Sequence, residues 1–207
     1  PLYTLEGVES RDIIKARETS LENIPLPQES QMRVFFKLLS SANIASREYV
    51  YTQYDHQVQT NTVIPPGGDA SLIRIKGTQK ALAASTDGNS RFSYLDPYIG
   101  AKIAVAEACR NISCTGAEPI AITNCLNFGN PQKPEVYYQL DKSVSGISDM
   151  SLEFNAPVIS GNVSLYNETQ DSAIFPTPVI GAVGLLQNVE NHCGSAFENQ
   201  NDLVFLY

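Results

Sequence analysis

The chain has 207 residues, of which 43% are hydrophobic and 17% charged, a composition and length that suit a globular chain with a sizeable core. Its net charge of −8 argues against a nucleic-acid partner, because binding to phosphate backbones depends on an excess of Lys and Arg. No apolar run approaches the roughly 20 residues that span a bilayer, and no signal peptide opens the chain, so we expect a cytoplasmic protein without a membrane partner.

The first quarter of the chain divides into an arm and a helix. Residues 1–30 are predicted to form a linker arm, because prolines interrupt a stretch with few periodic apolar positions. Apolar residues recur at helical spacing from Gln31 onwards, which predicts a helix and the start of the domain, taken as 31–207. A strand is predicted over 58–64, followed by a Pro-Gly loop at 65–69.

The remainder alternates strands and helices. A hairpin is predicted from 70–76 and 81–85, and a helix begins at Asp96-Pro97, where the carboxylate caps it. That helix is expected to bury one apolar stripe, and a second amphipathic helix follows the turn at 129–131. The stripe of the first helix comprises Ile99, Ile103, Ala106 and Ile112. Further strands are predicted at 120–123, 158–160, 179–186 and 203–207. The fold class is therefore α+β, with a mixed or antiparallel sheet and helices on one face.

Two polar segments follow predicted strands. Asn124 ends the first strand, and Gly161, Asn162 and Ser164 come directly after the second. Glycine lets a backbone approach a ligand closely, and side-chain oxygens are ligands for hard cations. The alternative is an ordinary strand-ending turn, since Gly and Asn also favour turns. The four cysteines form no CxxC pair, so a zinc site is not expected.

These segments belong to a series of ordered blocks between Leu38 and Tyr207 that resembles a known family. The series resembles the second AIR-synthetase-like half of the phosphoribosylformylglycinamidine synthases. The blocks are Ser46–His56, Pro66–Ala70, Ser85–Asn89, Leu95–Tyr98, Gly116–Pro119, Asn124–Pro131, Gly161–Glu168 and Pro176–Val179.

The resemblance implies an N-terminal AIR-synthetase-like domain, here a fragment truncated before its C-terminal partner domain. It implies that this domain pairs with a homologous first-half domain around a shared β-barrel. The activity implied is an ATP- and Mg²⁺-dependent amidotransfer, in which formylglycinamide ribotide receives ammonia from a glutaminase partner. We expect the fragment alone to be inactive and to associate with itself.

The resemblance also implies roles for individual residues. Asn124 and Gly161 correspond to ATP contacts, Asn162 to a Mg²⁺ ligand and Ser164 to a contact with the ribotide substrate. Asn167 is placed just beyond this site.

No catalytic residue is implied, because the catalytic histidines of the family belong to the first half. His56 is therefore interpreted as structural. Asp87 and Asn111 stay open between a metal site and ordinary roles in a turn and on a helix face.

Two other functions remain open. The domain could be a nucleotide-binding and pseudo-dimerisation module without turnover. It could also belong to another branch of the superfamily, such as selenophosphate synthetases or thiamine-monophosphate kinases. The block from Cys125 to Pro131 argues against that second alternative.

Overall fold

A computed structural model describes residues 6–170, 172–197 and 199–205. The helices are α1 (Arg11–Arg17), α2 (Gln31–Leu39), α3 (Glu48–Tyr51), α4 (Ser90–Leu95), α5 (Pro97–Cys114) and α6 (Pro134–Glu153). The strands are β1 (Thr62–Ile64), β2 (Ser71–Arg74), β3 (Ala81–Asp87), β4 (Glu118–Asn127), β5 (Val158–Ser164) and β6 (Thr177–Leu186). No helix within the described ranges is both long enough and apolar enough to cross a bilayer.

The strands form one sheet in the order β1-β2-β3-β6-β4-β5. Only β4 and β5 run parallel, and all other neighbours are antiparallel. The last strand, β6, lies between β3 and β4, so it pairs Ala182 with Ser85 on one side and Gly181 with Thr123 on the other. The predicted α+β class is confirmed.

One face of the sheet carries the core. Alternate residues of β6, including Ile180 and Ala182, are buried beneath α5, and α6 packs against α5. Ser85 on β3 donates its hydroxyl to the carbonyl oxygen of Ala108 on α5, at 2.9 Å. The opposite face carries no helix of this group, and Ile73 and Leu82 remain exposed there. We call it the open face; it is formed by the β2, β3, β4, β5 and β6 residues that alternate with the buried ones.

Helix α5 begins as predicted, because the Asp96 carboxylate accepts a hydrogen bond from the Ile99 backbone N–H at 2.9 Å. Its predicted apolar stripe is only partly right. Ile112 is buried, but Ile99 is 45% exposed. The fully buried stripe instead consists of small residues, namely Ala101, Ala104, Val105, Ala108 and Cys109. Small side chains let the helix lie close to its neighbours, and a search for large periodic residues misses that stripe.

The N-terminal region contacts the domain at several points. The Val8 backbone N–H donates to Pro134 at the start of α6, Ile13 is buried, and Arg17 lies 3.5 Å from the Asp96 carboxylate. Helix α2 begins at Gln31 as predicted, yet none of its residues is buried.

Several strand predictions differ from the structure, and β4 and β5 run further than predicted, to Asn127 and Ser164. Residues 58–60 form a 3-10 turn with positive φ at Gln59 and Thr60, so β1 begins only at Thr62. Residues 203–205 have no regular structure. Residues 1–5 of the predicted arm and residues 206–207 of the predicted last strand lie outside the described ranges.

Candidate functional site

The two polar segments lie side by side because β4 and β5 are parallel neighbours. Asn124 is paired with Gly161, Cys125 with Asn162, and Asn127 with Ser164. Gly161, Asn162 and Ser164 therefore lie within β5. The sequence predicts a strand that ends at residue 160, with these three residues after it. The longer strand has a simple cause: parallel pairing with β4 continues to Ser164.

Strand alternation divides the four predicted site residues into two pairs. Asn124 is paired with the buried Ile180 on β6, so Asn124 and Gly161 lie on the helix-covered face. Asn162 and Ser164 alternate with Gly161 and lie on the open face. Because β5 is an edge strand with exposed residues, a ligand could contact both pairs by passing around its free edge.

Asn124 occupies the space above Gly161. A Cβ atom added to Gly161 would lie 2.3 Å from Asn124 Oδ1 and 2.9 Å from its Cγ. Glycine is thus required sterically for the observed position of the amide. The contact explains the glycine without any ligand.

Asn124 borders a cleft of about 380 Å³ between α6 and the strands β4 and β5. Its lining is mainly aliphatic, with a few polar groups. The lining residues are Asn124, Val144, Ile147, Ser148, Ser151, Leu152, Pro157 and Val158. An apolar cleft with a few polar groups on its wall is a general feature of small-molecule sites.

On the open face, Ser164 is held by Asn167. The Asn167 side-chain amide donates to the carbonyl oxygens of Ser164 at 2.8 Å and Phe128 at 3.1 Å, and it contacts the Ser164 hydroxyl. The backbone N–H of Phe128 also donates to the carbonyl oxygen of Ser164, at 3.0 Å. Asn167 therefore joins the loops that follow β4 and β5 and is in direct contact with Ser164.

A second contact joins the same two loops. The Glu168 carboxylate accepts hydrogen bonds from Lys133 Nζ at 3.0 Å and from the Asn130 backbone N–H at 3.3 Å. The bond from Lys133 lowers the pKa of Glu168 below its ordinary value. The loops at 127–133 and 164–168 thus form one connected unit.

Sequence reasoning did not single out Asn127. Its Nδ2 donates to the carbonyl oxygens of Cys125 at 3.2 Å and Thr177 at 3.3 Å, and it lies beside Ser164 on the open face. The sequence signal that could have identified Asn127 is its position three residues after Asn124, inside the same polar segment. Which face it occupies depends on the register, and the sequence alone does not give the register.

Asp87 and Asn111, far apart in sequence, meet in the structure. Asn111 Nδ2 donates to Asp87 Oδ2 at 3.0 Å. Burial raises the pKa of Asp87, and the hydrogen bond from Asn111 opposes that rise. His56 is exposed, and its ring Nδ1 lies 3.4 Å from the nearby Tyr54 carbonyl oxygen.

Among the described residues there is no group of three or more His, Cys, Asp or Glu side chains that could hold a metal ion. The amide oxygen of Asn162 is a neutral donor, and a neutral oxygen suits Mg²⁺ only as a supplementary ligand.

Comparison with protein families gives a match over residues 67–186 to the family described as AIR synthase related protein, N-terminal domain. The chain is also similar to curated proteins over its whole length. It is 51% identical over 206 residues to the phosphoribosylformylglycinamidine synthase subunit PurL of Moorella thermoacetica. Identity to the same subunit of Alkaliphilus metalliredigens is 50% over 208 residues. In both comparisons all of this chain is covered, but it spans only 28% of the relative's length.

Solved structures from Thermotoga maritima are similar as well. PurLQS matches with a TM-score of 0.67 at 38% identity, covering 72% of this chain and 25% of that chain. PurL complexed with ATP matches with a TM-score of 0.63 at 37% identity. PurL complexed with FGAR matches with a TM-score of 0.62 at 38% identity. The last two matches each cover 70% of this chain and 24% of the other.

Proposed function

The chain belongs to the AIR synthase related protein family, and from this premise we propose that it forms part of a phosphoribosylformylglycinamidine synthase. Such an enzyme converts formylglycinamide ribotide, ATP and glutamine-derived ammonia into the amidine, ADP and phosphate. The observation that carries the proposal is the parallel register of β4 and β5. It aligns the two segments of the family resemblance, Asn124 with Gly161 and Asn127 with Ser164, at one edge of the sheet.

We assign ATP to the side of the sheet that bears Asn124 and Gly161. The aliphatic cleft beside Asn124 suits a flat heteroaromatic base, and its polar groups could orient that base by hydrogen bonds. Gly161 contributes to this side of the sheet by allowing the Asn124 amide its position beside the cleft. The Thermotoga maritima protein complexed with ATP supports this assignment by similarity.

We assign magnesium and the ribotide to Asn162 and Ser164 on the open face. Asn162 is exposed and supplies a neutral amide oxygen, so Mg²⁺ would be held mainly by ATP phosphates, whose charge it neutralises. Ser164 would contact the ribotide, in line with the complex of the Thermotoga maritima protein with FGAR.

In the reaction, the substrate's amide oxygen attacks the γ-phosphorus, and ADP leaves. Ammonia then adds to the activated carbon, and phosphate departs as the C–N bond of the amidine forms. Phosphoryl transfer depends on placement and charge neutralisation more than on acid–base groups. This chain's neutral amides and hydroxyl suit that kind of work, whereas proton transfer would be supplied by residues elsewhere in the enzyme.

The proposal includes partners and a location. The open face would pair with a homologous domain to close a barrel, and a glutaminase would deliver ammonia. A purine-biosynthetic synthetase of this kind works in the cytoplasm.

A second function is a structural nucleotide-binding module without turnover. The neutrality of the site favours it, because Asn124, Asn162 and Ser164 offer no general acid or base. Both functions predict nucleotide binding, and they differ in whether substitutions at the site change turnover.

The test is kinetic and uses the full-length synthetase that contains this chain. We expect Asn162→Ala to lower activity at limiting magnesium and to recover as magnesium is raised. Ser164→Ala should raise the KM for the ribotide roughly tenfold, because a hydrogen bond to a polar substrate is lost, while the KM for ATP stays nearly constant.

The matched control is Asn43→Ala, because Asn43 is exposed and lies in the turn before α3. Absence of amidine formation by the unmodified full-length protein would rule out the synthetase. Normal turnover in both site variants would instead favour the structural module.

A further inference from the structure

The direction of the hydrogen bonds around Ser164 can be deduced from the groups it meets. Asn167 Nδ2 carries two hydrogens and lies 2.8 Å from the Ser164 carbonyl oxygen and 3.1 Å from the Phe128 carbonyl oxygen. Carbonyl oxygens only accept, so the orientation of the amide is fixed. Nδ2 also lies 3.1 Å from the Ser164 hydroxyl oxygen, which shares one of its hydrogens with a carbonyl.

This leaves Asn167 Oδ1 as an acceptor, 3.2 Å from the Ser164 hydroxyl oxygen. With the amide in this orientation, the Ser164 hydroxyl donates its single hydrogen to Asn167 Oδ1. While that bond is kept, Ser164 offers a ligand a lone pair, so it can accept a hydrogen bond or coordinate a cation. Donation to a phosphate oxygen would require the bond to Asn167 to break.

The same reasoning applies to Asn127. Its Nδ2 lies 3.2 Å from the Cys125 carbonyl oxygen and 3.3 Å from the Thr177 carbonyl oxygen, and these two acceptors use both hydrogens. Its Oδ1 must then be directed away from both carbonyls. Within the described part of the chain, no donor reaches that oxygen.

Asn127 and Ser164 are register partners on adjacent parallel strands, so their side chains stand next to each other on the open face. Each has its hydrogens bound within the protein and an oxygen left available. No lysine or arginine takes part in the hydrogen bonds of either side chain. Two adjacent acceptors to which no cationic side chain is hydrogen-bonded favour a hydrogen-bond donor over an anion.

We propose that Asn127 is a further ligand-binding residue, and that Asn127 and Ser164 form an acceptor pair for N–H or O–H donors rather than a phosphate subsite. Asn167 is the positioning residue that fixes the polarity of Ser164. This inference rests on the proposed function for the identity of the ligand. The donor comes either from the amide or hydroxyl groups of the ribotide or from water bound to magnesium.

The first experiment measures steady-state kinetics of the full-length synthetase with Asn127→Ala, Ser164→Ala and the control Asn43→Ala. We expect Asn127→Ala to raise the ribotide KM by roughly three- to tenfold, the effect of one lost hydrogen bond, with little change in the KM for ATP. Inhibition by inorganic phosphate should be unchanged. A purely structural role would lower the melting temperature and change both KM values together.

Raising the magnesium concentration distinguishes the two possible donors, the ribotide and water bound to magnesium. Recovery of Asn127→Ala at high magnesium identifies metal-bound water, and persistence of the raised ribotide KM identifies the substrate. An unchanged ribotide KM in Asn127→Ala, while the unmodified enzyme turns over normally, overturns the acceptor pair and leaves the proposed function standing.

The second experiment needs no turnover and is therefore independent of the proposed function. The side-chain amide NMR signals of Asn127 and Asn167 are followed in the 207-residue chain during separate titrations with Mg²⁺, the ribotide and inorganic phosphate. We expect shifts with Mg²⁺ or the ribotide. Shifts with inorganic phosphate alone would overturn the proposal.

Discussion

Gly161 shows how one missing side chain determines the position of another. The space that a Cβ would occupy is filled by the Asn124 amide, at 2.3 Å. That amide can keep its position beside the cleft only while position 161 remains glycine. The pairing of Asn124 with Gly161 is thus one steric unit across two strands.

We therefore expect Gly161→Ala to displace Asn124 and to cost roughly 1–3 kcal/mol of stability through overpacking. ATP affinity, measured by calorimetry, should fall about fivefold if one hydrogen bond is lost. Gly194→Ala is the matched control, because a Cβ at Gly194 meets nothing within 4 Å. Equal behaviour of the two variants would contradict the steric argument.

Ser93 carries a buried hydroxyl for which the described structure offers no hydrogen-bond partner. Ser143, equally buried, donates to the Pro97 carbonyl oxygen at 3.3 Å. An unpaired buried hydroxyl costs stability, so Ser93→Ala should raise the free energy of unfolding by about 1 kcal/mol. Ser143→Ala should lower it by a similar amount, and thermal unfolding of both variants provides the comparison.

At this scale the sequence predicts residue types better than it predicts their contacts. Asn124, Gly161, Asn162 and Ser164 stood out because of their chemistry. Asn127 did not, since its importance comes from the direction in which its amide is held by Cys125 and Thr177. Hydrogen-bond direction depends on neighbours that are distant in sequence, and no local pattern encodes it.

Among the elements, α5 and α6 are in closest contact at Gly146. A Cβ there would lie 2.3 Å from the Tyr98 carbonyl oxygen on α5. The small buried stripe of α5 and this glycine of α6 allow the two helices to pack closely, and that arrangement in turn forms one wall of the cleft beside Asn124.

Gly146→Ala should force the helices apart and destabilise the chain by at least roughly 1–3 kcal/mol, despite the higher helix propensity of alanine. Ser145→Ala is the matched control on the same helix, since Ser145 only donates back to Asp141 at 2.9 Å. A melting temperature of Gly146→Ala equal to that of the control would show that the contact can relax without loss.

Element types and most boundaries were predictable because capping, glycine and apolar spacing are local signals. The cap at Asp96 and the hairpin of β2 and β3 are confirmed. The start of β1 and the length of β5 were wrong for different reasons. Positive φ at Gln59 is unusual for a residue other than glycine, and the extension of β5 to Ser164 follows from its pairing with β4.

At the scale of the whole molecule, the open face is an exposed apolar surface of the sheet. Ile73 and Leu82 are 45% and 40% exposed on neighbouring strands, and β6 adds Val183 and Leu185 to the same face. A contiguous apolar face of this kind favours association.

We expect the isolated chain to self-associate through this face, with a mass above that of the monomer in light scattering at tens of micromolar, a typical order for weak dimers. Leu82→Glu should restore the monomer, because a charge at the centre of the face cannot be buried without a partner. Leu152→Glu, on the exposed surface of α6, should not. A monomeric unmodified chain would contradict the prediction.

The order of the strands was the part of the whole fold least accessible from sequence. Local patterns predict that β6 is a strand, but not that it inserts between β3 and β4. That choice is made by the fit of its buried alternate residues beneath α5, and it involves positions almost a hundred residues apart, such as Ser85 and Ala182.

The central position of β6 has a consequence for synthesis on the ribosome. Until residues 177–186 have emerged, β1, β2 and β3 form one piece of sheet, and β4 and β5 form another, with no strand to join them. During synthesis, these two incomplete sheets must stay apart from other chains until β6 appears. Only β6 converts them into one cooperative unit, so folding of this sheet waits for residues 177–186.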